Sequence, residues 1–291
     1  MTPVRPTVLR CRELSLTLEG TPRLMGILNV TDDSFYDGGR HFALDAALAR
    51  ARLLVTEGAD LLDIGGQSTR PGYTEISDAE EIARTAPLLR ALAAEFPTLP
   101  LSIDTYKPAV ASAALDAGAH LLNDIHGLQG PGGTALARLA AESGAAVVIM
   151  HNDPSLRAAA DADSAAPEVL PAVLAWLRRS LDLAAAAGLP VERLVIDPGI
   201  GFGKTQPQNL ALLARLDALH ELGRPVLLGV SRKSVIAHVC PGLPAEDRLE
   251  GTLALTALAV RQGVQLHRVH DVRANRRAAA LAAAVRAAAM I

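Results

Sequence analysis

The sequence predicts an α/β protein of eight strand–helix units closed into a (β/α)8 TIM barrel. Three observations carry this reading. Short apolar runs bounded by Gly, Pro, Asp or Asn alternate with longer helix-like stretches from about residue 24 to the end of the chain. There are eight of each, and right-handed crossovers wind such units in one direction. Aromatic residues make up 3% of the chain while hydrophobic residues make up 50%. That composition disfavours an aromatic-rich sandwich and suits a parallel sheet covered by Ala/Leu helices. An open doubly wound sheet shares the alternation and stands as the alternative.

In chain order the expected strands are Leu24–Val30, Asp60–Ile64, Leu99–Ile103, Ala119–Asn123, Ala145–Met150, Arg193–Ile196, Pro225–Val230 and Leu266–Val269. The expected helices are 42–57, 78–96, 107–117, 132–143, 166–187, 207–222, 246–262 and 271–289. Ser77-Asp78 ahead of Glu80-Glu81 is a helix start, and Pro108 suits a first turn. Gly188 with Pro190 just beyond it marks a helix end. Residues 7–18 read as a β-hairpin that caps the barrel bottom, and 153–167 as a polar, Ala-rich loop.

The 291 residues are expected to form a single domain, since α/β barrels commonly reach about 250 residues as one unit. A net charge of -3 and a pI near 6.2 give no basic footprint for nucleic acid. Cys11 and Cys240 cannot build a disulfide framework and match no metal spacing. The N-terminal residues lack an apolar core of signal-peptide length, and no apolar run is long enough for a membrane span. The expectation is a soluble, cytoplasmic protein with no membrane partner.

The polar residues fall in one place. The strands end in Asn29, Asp63, Asp104, Asn123-Asp124, Met150-His151-Asn152 and Asp197, the seventh runs into GVSRKS with Lys233, and the eighth carries Arg268 and His270. A lone Asp or Asn after a strand is usually a turn or capping residue. Eight polar ends on one rim indicate a site, because barrel chemistry sits at the C-terminal ends of the strands. His41, His120, His126, His220, His238 and His267 have no evident partner and read as structural or exposed. PGIGFGKT imitates a phosphate loop, but Pro198 stands where that motif needs Gly.

The carboxylates and amide of Asp104, Asn123 and Asp197 suit a planar heterocycle with an N–C(NH2)–N edge, which offers parallel donors. Arg70, Lys233, Arg268 and His270 suit phosphate or carboxylate. Asn29 offers a hard oxygen for Mg2+ held mostly by phosphate and water.

The segments MGILNVTDDSFYDGG, DIGGQSTRPG, SIDTYKPAVASAALDAGAHLLND, VVIMHN, VIDPGIGFGKT, GVSRKS and HRVHDV resemble those of the dihydropteroate synthase family, in that family's order, over about residues 24–275. The resemblance implies a homodimeric TIM barrel that condenses 6-hydroxymethyl-7,8-dihydropterin diphosphate with 4-aminobenzoate, with Mg2+ as cofactor. By motif, Asn29 would contact Mg2+ and diphosphate. Asp104, Asn123, Asp197 and Lys233 would read the pterin in a slot lined by Met150, Gly201, Phe202 and Gly229. Arg268 and His270 would hold diphosphate, with Thr69 on that side or at the pterin tail. Arg70, Pro71, Ser231 and Phe35 would form the aminobenzoate subsite, and Asp33 would close over the departing diphosphate. The implied catalytic set is Asp104, Lys233, Arg268, His270 and Asp33. Asp32, Tyr36 and Gln67 depart from the common Pro, Ser and Glu. A pterin-dependent methyltransferase on the same barrel is the alternative enzyme, and a non-catalytic pterin-binding paralogue is the alternative outside catalysis.

Overall fold

A computed structural model describes residues 7–30, 39–68, 74–162 and 168–289. An N-terminal hairpin, β1 (Val8–Cys11) and β2 (Leu14–Thr17), pairs antiparallel. The barrel follows as β3 (Arg23–Asn29), α1 (Gly39–Thr56), β4 (Leu61–Gly65), α2 (Asp78–Glu95), β5 (Leu101–Asp104), α3 (Pro108–Asp116), β6 (Leu121–Asp124), α4 (Gly133–Ser143) and β7 (Ala146–Met150). It continues with α5 (Pro154–Ala162), α6 (Val169–Ala186), β8 (Leu194–Asp197), α7 (Gln206–Leu213), β9 (Leu227–Leu228), α8 (Ser234–Val239), α9 (Leu249–Arg261), β10 (Leu266–Val269) and α10 (Val272–Ala288).

Strands β3 to β10 form one eight-stranded sheet in the order β8-β7-β6-β5-β4-β3-β10-β9, and every ladder in it is parallel. A parallel bridge between Ile196 and Val226 joins β8 to the approach to β9. The two edges therefore meet, and the sheet is a (β/α)8 barrel rather than an open layer. The seventh barrel strand is shorter than the run Pro225–Val230 predicts. Pro225 has no N–H to give a ladder.

Alternation along each strand separates two environments. One face, with Leu62, Ile103, Leu122, Ile149 and Ile196, packs under the helices. The other faces the barrel axis. Met25, Leu61, Leu121, Val195, Leu227 and Leu266 form the bottom layer there, sealed by Leu9, Cys11, Leu16 and Leu18 of the hairpin. The hairpin is the cap that residues 7–18 predict. Its Arg12 donates to the carbonyls of Leu115 and Ala119, both at 3.0 Å, which ties it to the barrel.

Helix α5 falls where the sequence suggests only a loop. Asp153 accepts the Ser155 N–H at 3.0 Å and Pro154 opens the first turn, so the Ala-rich run that follows becomes helical. The predicted helix 207–222 divides into α7 and a 3-10 turn, Leu216–Leu222. Helix α8 follows GVSRK directly and lies outside the predicted set.

Candidate active site

Two residues beyond the apolar bottom layer, the same inward columns turn polar. The step from Leu61 leads to Asp63, from Leu121 to Asn123, from Val195 to Asp197, from Leu227 to Gly229 and from Leu266 to Arg268, while on β5 the polar Ser102 already stands one step before Asp104. A period of two thus delivers these groups to one level of the barrel.

Arg268 is the hub. Its Nε donates to Asp63 Oδ2 at 2.5 Å and one Nη donates to Asp104 Oδ2 at 2.7 Å. Asn123 Nδ2 donates to the same Asp63 oxygen at 3.0 Å. Asp63 and Asp104 each keep a buried Oδ1 with no hydrogen-bond partner among the described residues. Burial, reinforced by Asp63 and opposed by Arg268, pushes Asp104 up to about 7. Burial works against the charge of Arg268, but Asp63 and Asp104 outweigh it and hold the guanidinium firmly charged.

A second group meets above Gly229. A methyl carbon there would lie 3.8 Å from Asp197 Oδ2, 3.8 Å from Lys233 Nζ and 3.9 Å from Arg268 Cβ. The absence of a side chain keeps that space open. Asp197 Oδ1 accepts the Gly199 N–H at 2.7 Å, and burial raises its pKa. Lys233 Nζ donates to the Ile200 carbonyl at 2.6 Å and stands 4.7 Å from the centre of the Phe202 ring. Burial lowers Lys233 to about 8, with Asp197 pulling the other way.

At the rim, Ser231 Oγ lies 2.9 Å from His270 Nδ1 and accepts the His270 N–H at 3.2 Å. Arg232 joins the same two turns through both nitrogens of a fork onto Asp271, at 3.0 and 2.7 Å. Asn29 is exposed at the end of β3, and its Oδ1 shares with Asp104 the space beside Gly65. Met150 is buried with its side chain against Gly199, and the Gly201 N–H is held by Asn209 Oδ1 at 2.8 Å.

The structure thus gathers Asp104, Asn123, Asp197, Gly229, Lys233, Phe202 and Arg268 around one opening, with Asn29 on one side and Ser231–His270 on another. Asp33, Phe35, Thr69, Arg70 and Pro71 lie outside the described residues. Asp124 belongs elsewhere: its two oxygens accept the N–H groups of His126 and Leu128, so it closes a turn.

The pattern of the pterin binding enzyme family matches residues 25–270. The dihydropteroate synthase of Clostridium beijerinckii is 42% identical over 257 residues, covering 88% of this chain and 91% of that protein. The chain belongs to the dihydropteroate synthase family. The Xanthomonas albilineans dihydropteroate synthase with 4-aminobenzoic acid superposes with a TM-score of 0.87 at 43% identity, covering 97% of this chain and 98% of that one. The same enzyme in complex with 7,8-dihydropteroate gives 0.84 at 39% identity over 97% and 99%.

Within this synthase fold, two residues at the rim have contacts for which the motifs assigned no role. Asp63 sits in the same inward phase as Asp104 and Asn123, a signal present in the sequence, yet its hold on Arg268 needs the barrel closed. Gln67, one of the departures from the family pattern, accepts Lys107 Nζ at 2.9 Å and the Ile76 N–H at 3.0 Å. Lys107 also pairs with buried Glu81 at 3.0 Å and lies 3.9 Å from Glu75 and 4.0 Å from Asp78, so a neutral amide at 67 adds no further negative charge around this one cation. Among the described residues no helix is long and apolar enough to cross a membrane.

Proposed function

We propose that this chain is a dihydropteroate synthase, condensing 6-hydroxymethyl-7,8-dihydropterin diphosphate with 4-aminobenzoate to give 7,8-dihydropteroate and diphosphate. The observation that carries the reading is the convergence of Asp197, Lys233 and Arg268 on the space kept open at Gly229, beside the unmatched oxygens of Asp63 and Asp104. A flat ring with an N–C(NH2)–N edge supplies the donors those buried carboxylates lack.

In this reading Asp104, Asn123 and Asp197 hold the pterin edge, and Lys233 binds the ring's acceptor side above Phe202, in a slot with Met150, Gly201 and Gly229. Arg268 has two nitrogens committed to carboxylates, and its third, with His270, faces the departing diphosphate. As the carbon–oxygen bond to diphosphate breaks, positive charge spreads into the pterin, and the carboxylates of Asp104 and Asp197 stabilise it at no cost of reorganisation. The aminobenzoate amine then attacks the methylene carbon and loses a proton. Ser231, with Phe35, Arg70 and Pro71, forms the aminobenzoate subsite, and Thr69 and Asp33 act on the diphosphate side. No protein nucleophile is required.

Magnesium fits this arrangement. Asn29 Oδ1 and the Asp104 carboxylate border the same space beside Gly65, and among the described residues no cage of three His, Cys, Asp or Glu competes for a metal. One amide oxygen suits an ion that takes most of its ligands from phosphate and water. When bound there through Asn29, Mg2+ would neutralise charge on the leaving diphosphate. The chain is taken as one cytoplasmic domain that pairs as a homodimer, and the exposed apolar side chains Leu258, Leu281 and Val285 on α9 and α10 suit a covered face.

Incubation with the dihydropterin diphosphate and labelled 4-aminobenzoate tests the proposal. Labelled dihydropteroate is expected, lost with EDTA and restored by Mg2+. No product in the presence of Mg2+ points instead to a non-catalytic pterin-binding protein, and turnover in EDTA removes the role given to Asn29.

A further inference from the structure

The chain holds three lysines against twenty-five arginines. Lys107 and Lys204 are buried and Lys233 is half-buried. Arginine thus supplies the positive charge everywhere else. A guanidinium is a planar fork, whereas an ammonium is a compact centre with three donors. The places where lysine persists are therefore places where that compact centre matters. Lys233 belongs to the site and Lys107 to the Gln67–Glu81 network, while Lys204 has no role in the mechanism above.

Lys204 is 3% exposed. Its Nζ lies 2.8 Å from His151 Nδ1, 2.9 Å from the Gly199 carbonyl and 2.9 Å from the Phe202 carbonyl. Burial holds His151 down at about 3, so its ring is neutral, and in the tautomer that carries its proton on Nε2 the Nδ1 accepts from the ammonium. These three close acceptors, with the His151 carbonyl farther off at 3.5 Å, suit the three protons of a charged ammonium. Burial lowers Lys204 itself to about 7; Asp197 and Asp153 favour its charge and Lys233 opposes it. The chain wraps this centre closely. Gly199 and Gly203 have φ of +65° and +58°, and a methyl carbon on them would come within 1.9 Å of the His151 carbonyl oxygen and 2.5 Å of the Asp153 carbonyl oxygen. Between these anchors lie both supports of Lys233: the Ile200 carbonyl that it binds and the Phe202 ring beneath it.

We propose that Lys204 is a positioning residue. By gathering the Gly199 and Phe202 carbonyls and the His151 ring, its ammonium fixes the turn after β8 and so sets where Lys233 stands. Its kinetic consequence rests on the function proposed above; its structural consequence does not.

The test compares the full-length wild type with Lys204→Met and Lys204→Arg. With so few lysines, amine acylation followed by peptide mapping reads Lys233 directly. In Lys204→Met the acylation rate of Lys233 is expected to rise several-fold. KM for the dihydropterin diphosphate is expected to rise about tenfold while KM for 4-aminobenzoate stays near wild type. Lys204→Arg is expected to behave no better, since the planar fork cannot replace the ammonium. Unchanged labelling of Lys233 in a folded Lys204→Met protein overturns the proposal, as does an arginine variant that matches wild type in both readouts. Should the methionine variant not fold, Lys204→Gln takes its place with the same outcomes. If the wild type makes no dihydropteroate, the functional reading fails, while the labelling of Lys233 still decides this inference.

Discussion

The two ends of the barrel interior are built from opposite materials. At the bottom, hairpin residues Leu9, Cys11, Leu16 and Leu18 stack on Met25, Leu61, Leu121 and Val195, all at most 8% exposed. The Cys11 thiol there is driven up to about 12 by burial, the mark of an apolar setting. Two residues farther along the same strands, Asp63, Asp104, Asn123, Asp197 and Arg268 are just as hidden from water except for the partly open Arg268, and two carboxylate oxygens lack partners. Unmatched buried oxygens destabilise a fold. The bottom layer therefore supplies stability that the top layer gives up, and the top keeps groups waiting for a ligand.

The largest effect that would separate the two ends is on catalysis. Lys233→Met is expected to lower kcat/KM on the order of 10²–10³-fold, the usual loss for one charged group at a developing charge, with the melting temperature near wild type. Steady-state kinetics beside a thermal melt checks it; near-normal turnover removes Lys233 from the site. In wild type, kcat/KM for the pterin substrate should rise as Asp104 ionises through about 7 and fall as Lys233 deprotonates through about 8. The falling limb should vanish in Lys233→Arg if that variant retains measurable turnover.

Next in size is a change confined to the bottom. Leu9 is fully buried, so Leu9→Ala removes packing and leaves a cavity costing about 2–5 kcal/mol. Denaturant unfolding should show that loss while KM values measured well below the melting temperature stay unchanged. A shift in the pterin KM would mean that the two ends are mechanically coupled.

The sequence made this division legible at the top because polar residues interrupt apolar strands, and at the bottom because residues 7–18 alternate as a hairpin. Closure was less legible. It rests on one bridge, Ile196–Val226, beside a proline that breaks the periodic signal. Pairings were hidden as well. Asp63 looks like any strand-end carboxylate until Arg268, 205 residues away, folds onto it. Lys204 reads as the tail of a failed phosphate loop, since nothing local shows that Gly199, Phe202 and His151 will surround it. Helix α5 was obscured because Asp153-Pro154 signals a turn and a helix start alike.

The smallest expected effect concerns a polar group that serves neither end. His267 precedes Arg268 on β10, so its ring faces the opposite way, into the layer beneath the helices. It is 1% exposed, and neither ring nitrogen makes a well-formed hydrogen bond among the described residues, the Val264 backbone being the nearest approach to one. Burial lowers it to about 4, against a weak pull from the Val264 backbone. Its folded pKa therefore lies below the unfolded value of about 6.5. Between those two values the unfolded chain binds more protons, so the stability that the neutral ring permits is present above pH 6.5 and lost as pH falls toward 4. His267→Leu removes both the unsatisfied nitrogens and the titration. The variant should melt a few degrees higher at neutral pH, for a gain of about 1 kcal/mol. Its advantage should widen as pH falls from about 6.5 toward 4, with turnover unaffected. Equal acid sensitivity in both proteins would assign the loss to other groups, with His151 the next candidate because burial holds its pKa down at about 3.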